Sequence, residues 1–405
     1  MPMHLAIVTP FPPSITGVGQ YGYHLSGALA RLGAFSKITL LTEKLHPGMQ
    51  NLAGGFPVDP RITVERIWQP GRADIGLNIQ QRLLQLKPDL VWYNLGSSVF
   101  GRSPMANLAG LFCPMLSRIA GLPSVVTLHE IAAQTDLHQL DVPGGRLAPL
   151  GARLITSTST RCDVLCVTLR RQANWLRSRY PRLHLIHIPL GGYHPPKLLG
   201  RSDGQELLIF ATFAPFKGLE LLLTAFGRLQ KRYPALRLTI AGAEHPRFPG
   251  YVEQVRRSYG DQPTVRWMGG IPEAELVDLF GRSSIVVLPY TATTGSSSVL
   301  YRAAAWGRPV VSSDLPELRA AASEAGLQVE FFRSGDPDSL AQSLDCLLSN
   351  PERGLAQARQ NIAAVARTTP DETAHAYLRA FNIALEAHHQ GAHIALPVRH
   401  SQEVL

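Results

Sequence analysis

The chain has 405 residues, too many for one ordinary core and enough for two domains of roughly 150–200 residues each. With 45% hydrophobic and 17% charged residues it is not a disordered chain, and the absence of an 18-residue apolar run excludes a membrane-spanning helix. The 39 basic against 30 acidic residues leave +9, which favours anions such as phosphates, acidic headgroups or nucleic acid; the basic residues form no block of five or six, so no nucleic-acid arm is indicated.

In chain order, the N-terminal "MPMHLAIVTPFPP" lacks a basic n-region and does not read as a signal peptide. Strand candidates follow at 4–9, 37–42, 89–94, 124–129, 163–168 and 185–189, then at 207–211, 236–242, 264–269, 284–289, 309–313 and 327–332. Near-continuous apolar strands separated by helical patterns predict parallel sheets covered on both faces. The Gly/Pro/polar stretch around 191–206 reads as a linker between the two series. A long helical pattern covers 370–389, and 393–405 is a tail without a clear signal. The fold class is therefore α/β, with two Rossmann-like domains facing an interdomain cleft. Ligands of such sheets bind beyond the carboxyl ends of the strands.

Cys113, Cys162, Cys166 and Cys346 make no paired metal-ligand spacing and no disulfide framework, and Cys162 and Cys166 beside "DVLCVT" read as core residues. No metal site is expected.

"ITGVGQYGY" (15–23) spells G-x-G-x-x-G, the pattern of a dinucleotide-binding fingerprint. In that fingerprint the first glycine follows the strand at once. Here "PFPPSIT" separates Thr9 from Gly17, and Glu43 is only a weak acidic partner. The stretch reads better as a flexible glycine loop in the cleft, with Gly17 and Gly19 offering backbone N–H groups to a ligand. A plain strand-to-helix connection and an NAD site are the alternatives.

The second half carries "FATFAPFKGLELLLTAF" (210–226), "LRLTIAGAEHP" (236–246), "VRWMGGIPEAELVDLFGRSSIVVLPY" (265–290) and "TTGSSSVLYRAAAWGRPVVSSDLPEL" (293–318). In this order they resemble the C-terminal domain of retaining glycosyltransferases of family 4 (group 1), of GT-B architecture. "TGVGQY", "VVTLHE" and "HIPLGG" are similar to N-terminal segments of the same family. The resemblance covers about 370 residues. It implies an acceptor-binding domain at 1–195, a nucleotide-sugar-binding domain at 196–369 and a helix at 370–392 crossing back to the first domain.

Independently of the family, Gly295-Ser296-Ser297-Ser298 opens a helix, and its free N–H groups and dipole suit a diphosphate. Lys217 at a strand end would add a compact positive charge, and His129 ends a strand facing the cleft. Each also has a plain structural reading: a Ser-rich N-cap, a solvated lysine, a satisfied histidine. The resemblance implies His129 and Lys217 as catalytic residues. It implies Gly17, Gly19, Thr212, Lys217, Thr294, Gly295, Ser296, Ser297, Ser298 and Arg302 as the donor-binding positions.

Three positions depart from the family. Its two glutamates, eight positions apart, are Thr294 and Arg302 here. The first would bind donor-sugar hydroxyls and the second would accept from the ribose; an arginine has no acceptor. The family's arginine before the lysine is Thr212. Arg302, one turn beyond Ser298, is expected to supply the diphosphate with the charge missing at 212.

The function implied is a retaining, metal-independent hexosyltransferase that needs no cofactor. It would move a sugar from a nucleoside diphosphate sugar to a glycan or lipid-linked acceptor in polysaccharide or glycolipid biosynthesis. It would be cytoplasmic, with peripheral membrane contact at the inner face through "RRQANWLRSRYPR" (170–182), and without nucleic acid. The alternative is a noncatalytic sugar- or nucleotide-binding partner of a polysaccharide assembly complex.

Overall fold

Apolar runs such as Leu5-Ala6-Ile7-Val8 and Val286-Val287-Leu288 form strands shielded on both faces, as their lack of alternation requires. The computed structural model describes residues 3–14, 16–45, 56–134, 148–200 and 205–389. The tail, part of the linker, and most of the loops at 43–60 and 130–150 lie outside these residues.

The first sheet contains β1 (Met3–Val8), β2 (Phe35–Glu43), β3 (Ile62–Trp68), β4 (Leu90–Leu95), β5 (Ser124–Leu128), β6 (Val164–Val167) and β7 (His184–His187). Their order is β3-β2-β1-β4-β5-β6-β7, with every pair parallel. The second contains β8 (Glu206–Phe210), β9 (Arg237–Ala241), β10 (Val265–Met268), β11 (Ile285–Leu288), β12 (Val310–Ser313) and β13 (Glu330–Phe332). Its order is β10-β9-β8-β11-β12-β13, again parallel throughout. Helices α1 (Gly17–Arg31), α2 (Ile75–Leu86), α3 (Pro104–Leu111), α4 (Cys113–Ile119), α5 (Ala148–Ser159) and α6 (Arg170–Arg179) belong to the first half. Helices α7 (Leu219–Leu229), α8 (Tyr251–Tyr259), α9 (Leu276–Arg282), α10 (Ser298–Ala305), α11 (Pro316–Ala325), α12 (Pro337–Ser349), α13 (Pro351–Val365) and α14 (Pro370–His389) belong to the second.

The sheet order reverses between β1 and β4 in the first sheet and between β8 and β11 in the second. In open α/β sheets such reversals leave a crevice at the strands' carboxyl ends. The segments leaving β1, β8 and β11 carry the glycines, Lys217 and the Gly/Ser helix start respectively.

Strand β3 has no counterpart among the sequence expectations. It is an edge strand, and Glu65 and Arg66 break its apolar pattern. Helix α14 packs on the first sheet: the Tyr377 hydroxyl donates or accepts at Thr127 Oγ1 (2.9 Å), and the Tyr21 hydroxyl donates to it at 3.1 Å. The Tyr377 ring lies 4.6 Å from Trp92, and Phe381 packs on Phe35. Among the described residues no helix is long and apolar enough to cross a membrane.

Candidate active site

The glycine pattern is not a loop. Thr16 Oγ1 caps α1 by accepting from Gly19 N at 3.0 Å, so Gly17 to Gly22 form its first turns. The expected flexible loop is corrected accordingly: the glycines are needed for close packing. A Cβ at Gly22 would meet Thr9 Oγ1 at 2.5 Å, and one at Gly19 would meet Thr16 Oγ1 at 2.9 Å. Gly17 is open toward the second domain, with Ser298 Oγ 3.9 Å from where its Cβ would stand. The first-turn N–H groups of Gly17 and Val18 have no intrahelical acceptor and face the same way as any anion-binding helix start.

Asn94, at the end of β4, ties this turn to His129. Its Nδ2 donates to Thr9 Oγ1 and to the Val18 carbonyl, both at 2.9 Å. Its Oδ1 is left to accept, and His129 Nε2 lies 2.7 Å away. This network assigns the proton to Nε2 and leaves Nδ1 as the basic nitrogen. Burial lowers the His129 pKa to about 4, so the ring is neutral near pH 7. The edge of Tyr21 packs against it at 4.8 Å. Glu130 is held by Ser97, whose N donates to Oε1 at 2.8 Å and whose hydroxyl also donates there.

His129 and, through burial and the cations Arg247, Lys217 and Arg102, His245 both have pKa values lowered to about 4. A histidine with a folded pKa below its unfolded 6.5 contributes stability that is complete above pH 6.5 and lost as pH falls toward 4. The melting temperature is therefore expected to fall across that window, and His129→Gln is expected to flatten the slope. A scan of melting temperature against pH for both proteins reads this directly.

In the second domain, Lys217 ends a short turn after β8. Gly218 behind it has φ +69°, and a Cβ there would collide with the Pro289 carbonyl at the end of β11, so only glycine lets the two strand ends approach. Lys217 Nζ lies 3.9 Å from the centre of the Tyr290 ring. It has no ion pair among the described residues, and burial lowers its pKa to about 8. Thr212 is half-buried between β8 and this turn.

Helix α10 starts at Ser298 with Ser297 as an N-cap whose side chain makes no cap bond; Leu300 N donates to the Ser297 carbonyl at 3.1 Å, which leaves the Ser298 and Val299 N–H groups available. Ser297 Oγ is 3.5 Å from the Tyr290 hydroxyl, under the lysine, which joins the two features in one place. Ser296 Oγ donates to Thr168 Oγ1 of the first domain at 3.3 Å, and a Cβ on Gly295 would stand 2.5 Å from the His129 carbonyl oxygen. The domains thus meet here, with His129, the α1 start, the α10 start and Lys217 around one cleft. The Tyr193 hydroxyl is buried beside Ser298 with no hydrogen-bond partner among the described residues. A buried, unpaired hydroxyl beside a helix N-terminus is suited to a phosphate oxygen.

Thr294 stands on the other side. With Thr293, Gln134, Leu169 and Gln172 it lines a cavity of about 270 Å³ between the domains. Arg171 and Glu317 pair across its rim at 2.8 Å.

Arg302 does not meet its expectation. Its side chain is 3% exposed, and its guanidinium grips Glu273, Nη1 to Oε1 at 2.6 Å and Nη2 to Oε2 at 3.1 Å. The Tyr193 ring covers it at 4.4 Å. Its charge is already neutralised, so it supplies none to a diphosphate. Glu273 Oε1 also meets His194 Nε2 at 2.8 Å and His24 Nε2, from the first domain, at 3.2 Å. Burial opposes ionisation of Glu273, but the hydrogen bonds from both histidines and the guanidinium outweigh it and hold the carboxyl far below its usual range. Two imidazoles and a carboxylate have metal-ligand chemistry. The guanidinium, 2.6 Å from the same oxygen, supplies the positive charge a cation would bring.

Sequence reasoning missed Asn94, Tyr193, His24, His194 and Glu273. Asn94 alone left a signal, a polar residue closing the apolar strand "LVWYN".

Comparisons with known proteins agree with this fold. Residues 204–350 match the family model Glycosyl transferases group 1. A phosphatidyl-myo-inositol mannosyltransferase of Propionibacterium freudenreichii subsp. shermanii is 31% identical over 191 residues, which are 44% of this chain and 44% of that protein. The match therefore spans less than half of the relative's length. Among solved structures, sucrose-phosphate synthase from Thermosynechococcus elongatus superposes with TM-score 0.73 at 15% identity, covering 95% of this chain and 100% of that one. Anabaena HepE, in complex with UDP and glucose, gives 0.70 at 15% identity, covering 94% and 99%. Residues 204–350 are thus similar to the group 1 glycosyl transferases, and the two facing sheets have the GT-B fold.

Proposed function

We propose that the protein is a retaining glycosyltransferase that moves a sugar from a nucleoside diphosphate sugar to a glycan or lipid-linked acceptor. The observation that carries this reading is the convergence of Lys217, the open start of α10 and the unpartnered Tyr193 hydroxyl at the switch point of the second sheet. Three donors without a protein acceptor, one of them charged, match the oxygens of a diphosphate.

In this reading the diphosphate sits on the α10 start and Lys217 neutralises the charge that develops as the sugar–oxygen bond breaks. Lysine and helix dipole supply the charge, so no metal enters the step. The leaving diphosphate takes the acceptor's proton on the face it departs from, and the configuration is retained. The sugar points toward Thr294 and the interdomain cavity. Neutral His129 lies beside the reacting centre and donates from Nε2 to Asn94. Closure of the first domain over the α10 start excludes water and limits donor hydrolysis. The exposed Arg177 and Arg179 of α6, with Trp175, are the surface for an anionic membrane carrying the acceptor at the cytoplasmic face; Arg171 of the same helix is engaged with Glu317.

The test is a thermal-shift panel with UDP, GDP, ADP and dTDP, without added metal, followed by assay of the matching sugar nucleotides. One nucleoside diphosphate is expected to raise the melting temperature selectively by mass action. The noncatalytic reading is favoured by Thr294 and Arg302, which leave no carboxylate at either position; detectable transfer or hydrolysis of any sugar nucleotide excludes it. No shift with any nucleotide overturns the donor assignment.

A further inference from the structure

We propose that Glu273, presented by Arg302, is the residue that accepts hydrogen bonds from the nucleoside ribose, a specificity-determining contact supplied from the β10–α9 connection. The inference rests on the nucleoside diphosphate reading above and names the next group along that ligand. A nucleoside diphosphate carries, next to its phosphates, a ribose with two vicinal hydroxyls, both donors. Such a diol needs a fixed acceptor within one side chain's length of the phosphate seat.

The seat has two ends. On one, Thr293 and Thr294 open into the interdomain cavity, which takes the sugar. On the other stands Tyr193, which lies beside Ser298 and stacks on the Arg302 guanidinium at 4.4 Å. Arg302 has only donors and is 3% exposed, so it cannot meet a diol itself. What it carries outward is Glu273, whose side chain is 16% exposed.

The two carboxylate oxygens are unequal. Oε1 is crowded by Arg302 Nη1, His194 Nε2 and His24 Nε2 at 2.6, 2.8 and 3.2 Å. Oε2 takes one bond, from Arg302 Nη2 at 3.1 Å, and keeps acceptor capacity. The clamp fixes the carboxylate without exhausting it. His24 belongs to α1, so the same carboxylate also ties the first domain to the nucleoside end of the cleft.

The test is isothermal titration of the wild-type protein with UDP, GDP and ADP and with dUDP, dGDP and dADP, repeated with Glu273→Gln. Inorganic pyrophosphate is the control for the phosphate seat. The wild type is expected to bind its preferred ribonucleotide at least tenfold more tightly than the 2′-deoxy form. Glu273→Gln is expected to reduce that ratio to less than threefold while pyrophosphate affinity stays unchanged. A wild-type protein that binds both forms equally overturns the proposal without any variant, and so does a ratio preserved in Glu273→Gln. If no nucleoside diphosphate binds, the donor reading itself fails and the ribose assignment falls with it.

Discussion

Lys217→Ala is expected to lower turnover by roughly 10²–10³-fold, the scale seen when one preorganised donor to developing charge is removed. The residue's surroundings make the effect large. Its ammonium faces the Tyr290 ring at 3.9 Å and has no carboxylate partner among the described residues, so its charge is available to a ligand. The folded core is expected to survive, because a lysine held without an ion pair contributes little to stability. Nucleotide affinity is expected to drop together with kcat. Lys217→Arg is not a conservative rescue, since a planar guanidinium does not fit where a compact charge stands over the ring. The pKa near 8 adds a signature: the site is positive below that pH, so nucleotide affinity of the wild type should decline as pH rises through 8, and the alanine variant should show no such decline. Titration at pH 7 and pH 9 reads both.

Arg302→Ala is expected to cost about 3 kcal/mol of stability, the lower range for breaking a buried pair by removing one partner. Glu273 would remain partly buried with two imidazoles as its only neighbours from the cluster. Arg302→Met combined with Glu273→Leu removes both charges and should recover most of the stability, since replacing a whole buried pair by apolar residues is often neutral. Thermal melts of the three proteins decide this.

Much of the fold was legible because parallel, two-sided strands leave unbroken apolar runs. Residues 284–289 and 207–211 were readable for that reason, and each run located the segment that follows it, Lys217 after β8 and Gly295–Ser298 after β11. Strand β3 was not legible, because an edge strand with Glu65 pairing to Arg82 at 2.6 Å carries charge where a buried strand cannot. The glycine spelling was visible, but its meaning depended on Thr9 and Asn94, which approach Gly22 only in three dimensions. Arg302 shows the limit most sharply. One sequence shows an arginine where an acceptor is expected; it does not show that Glu273, 29 positions earlier, answers it. His24 and His194 join that cluster from a different domain and from the linker, so no local pattern connects them.

Helix α14 has a consequence for the order in which this chain is made. Its Tyr377 and Phe381 are at most 1% exposed and complete the layer over Trp92, Tyr21 and Phe35 of the first sheet. A ribosome releases Trp92 nearly three hundred residues before Tyr377. Throughout that interval the first sheet has an uncovered aromatic face, while the second sheet, β8 to β13 with α7 to α13, is contiguous in the chain and can close on its own material. The later-synthesised half is thus the first to have all its parts, and the N-terminal half waits for α14 to emerge before its core is sealed.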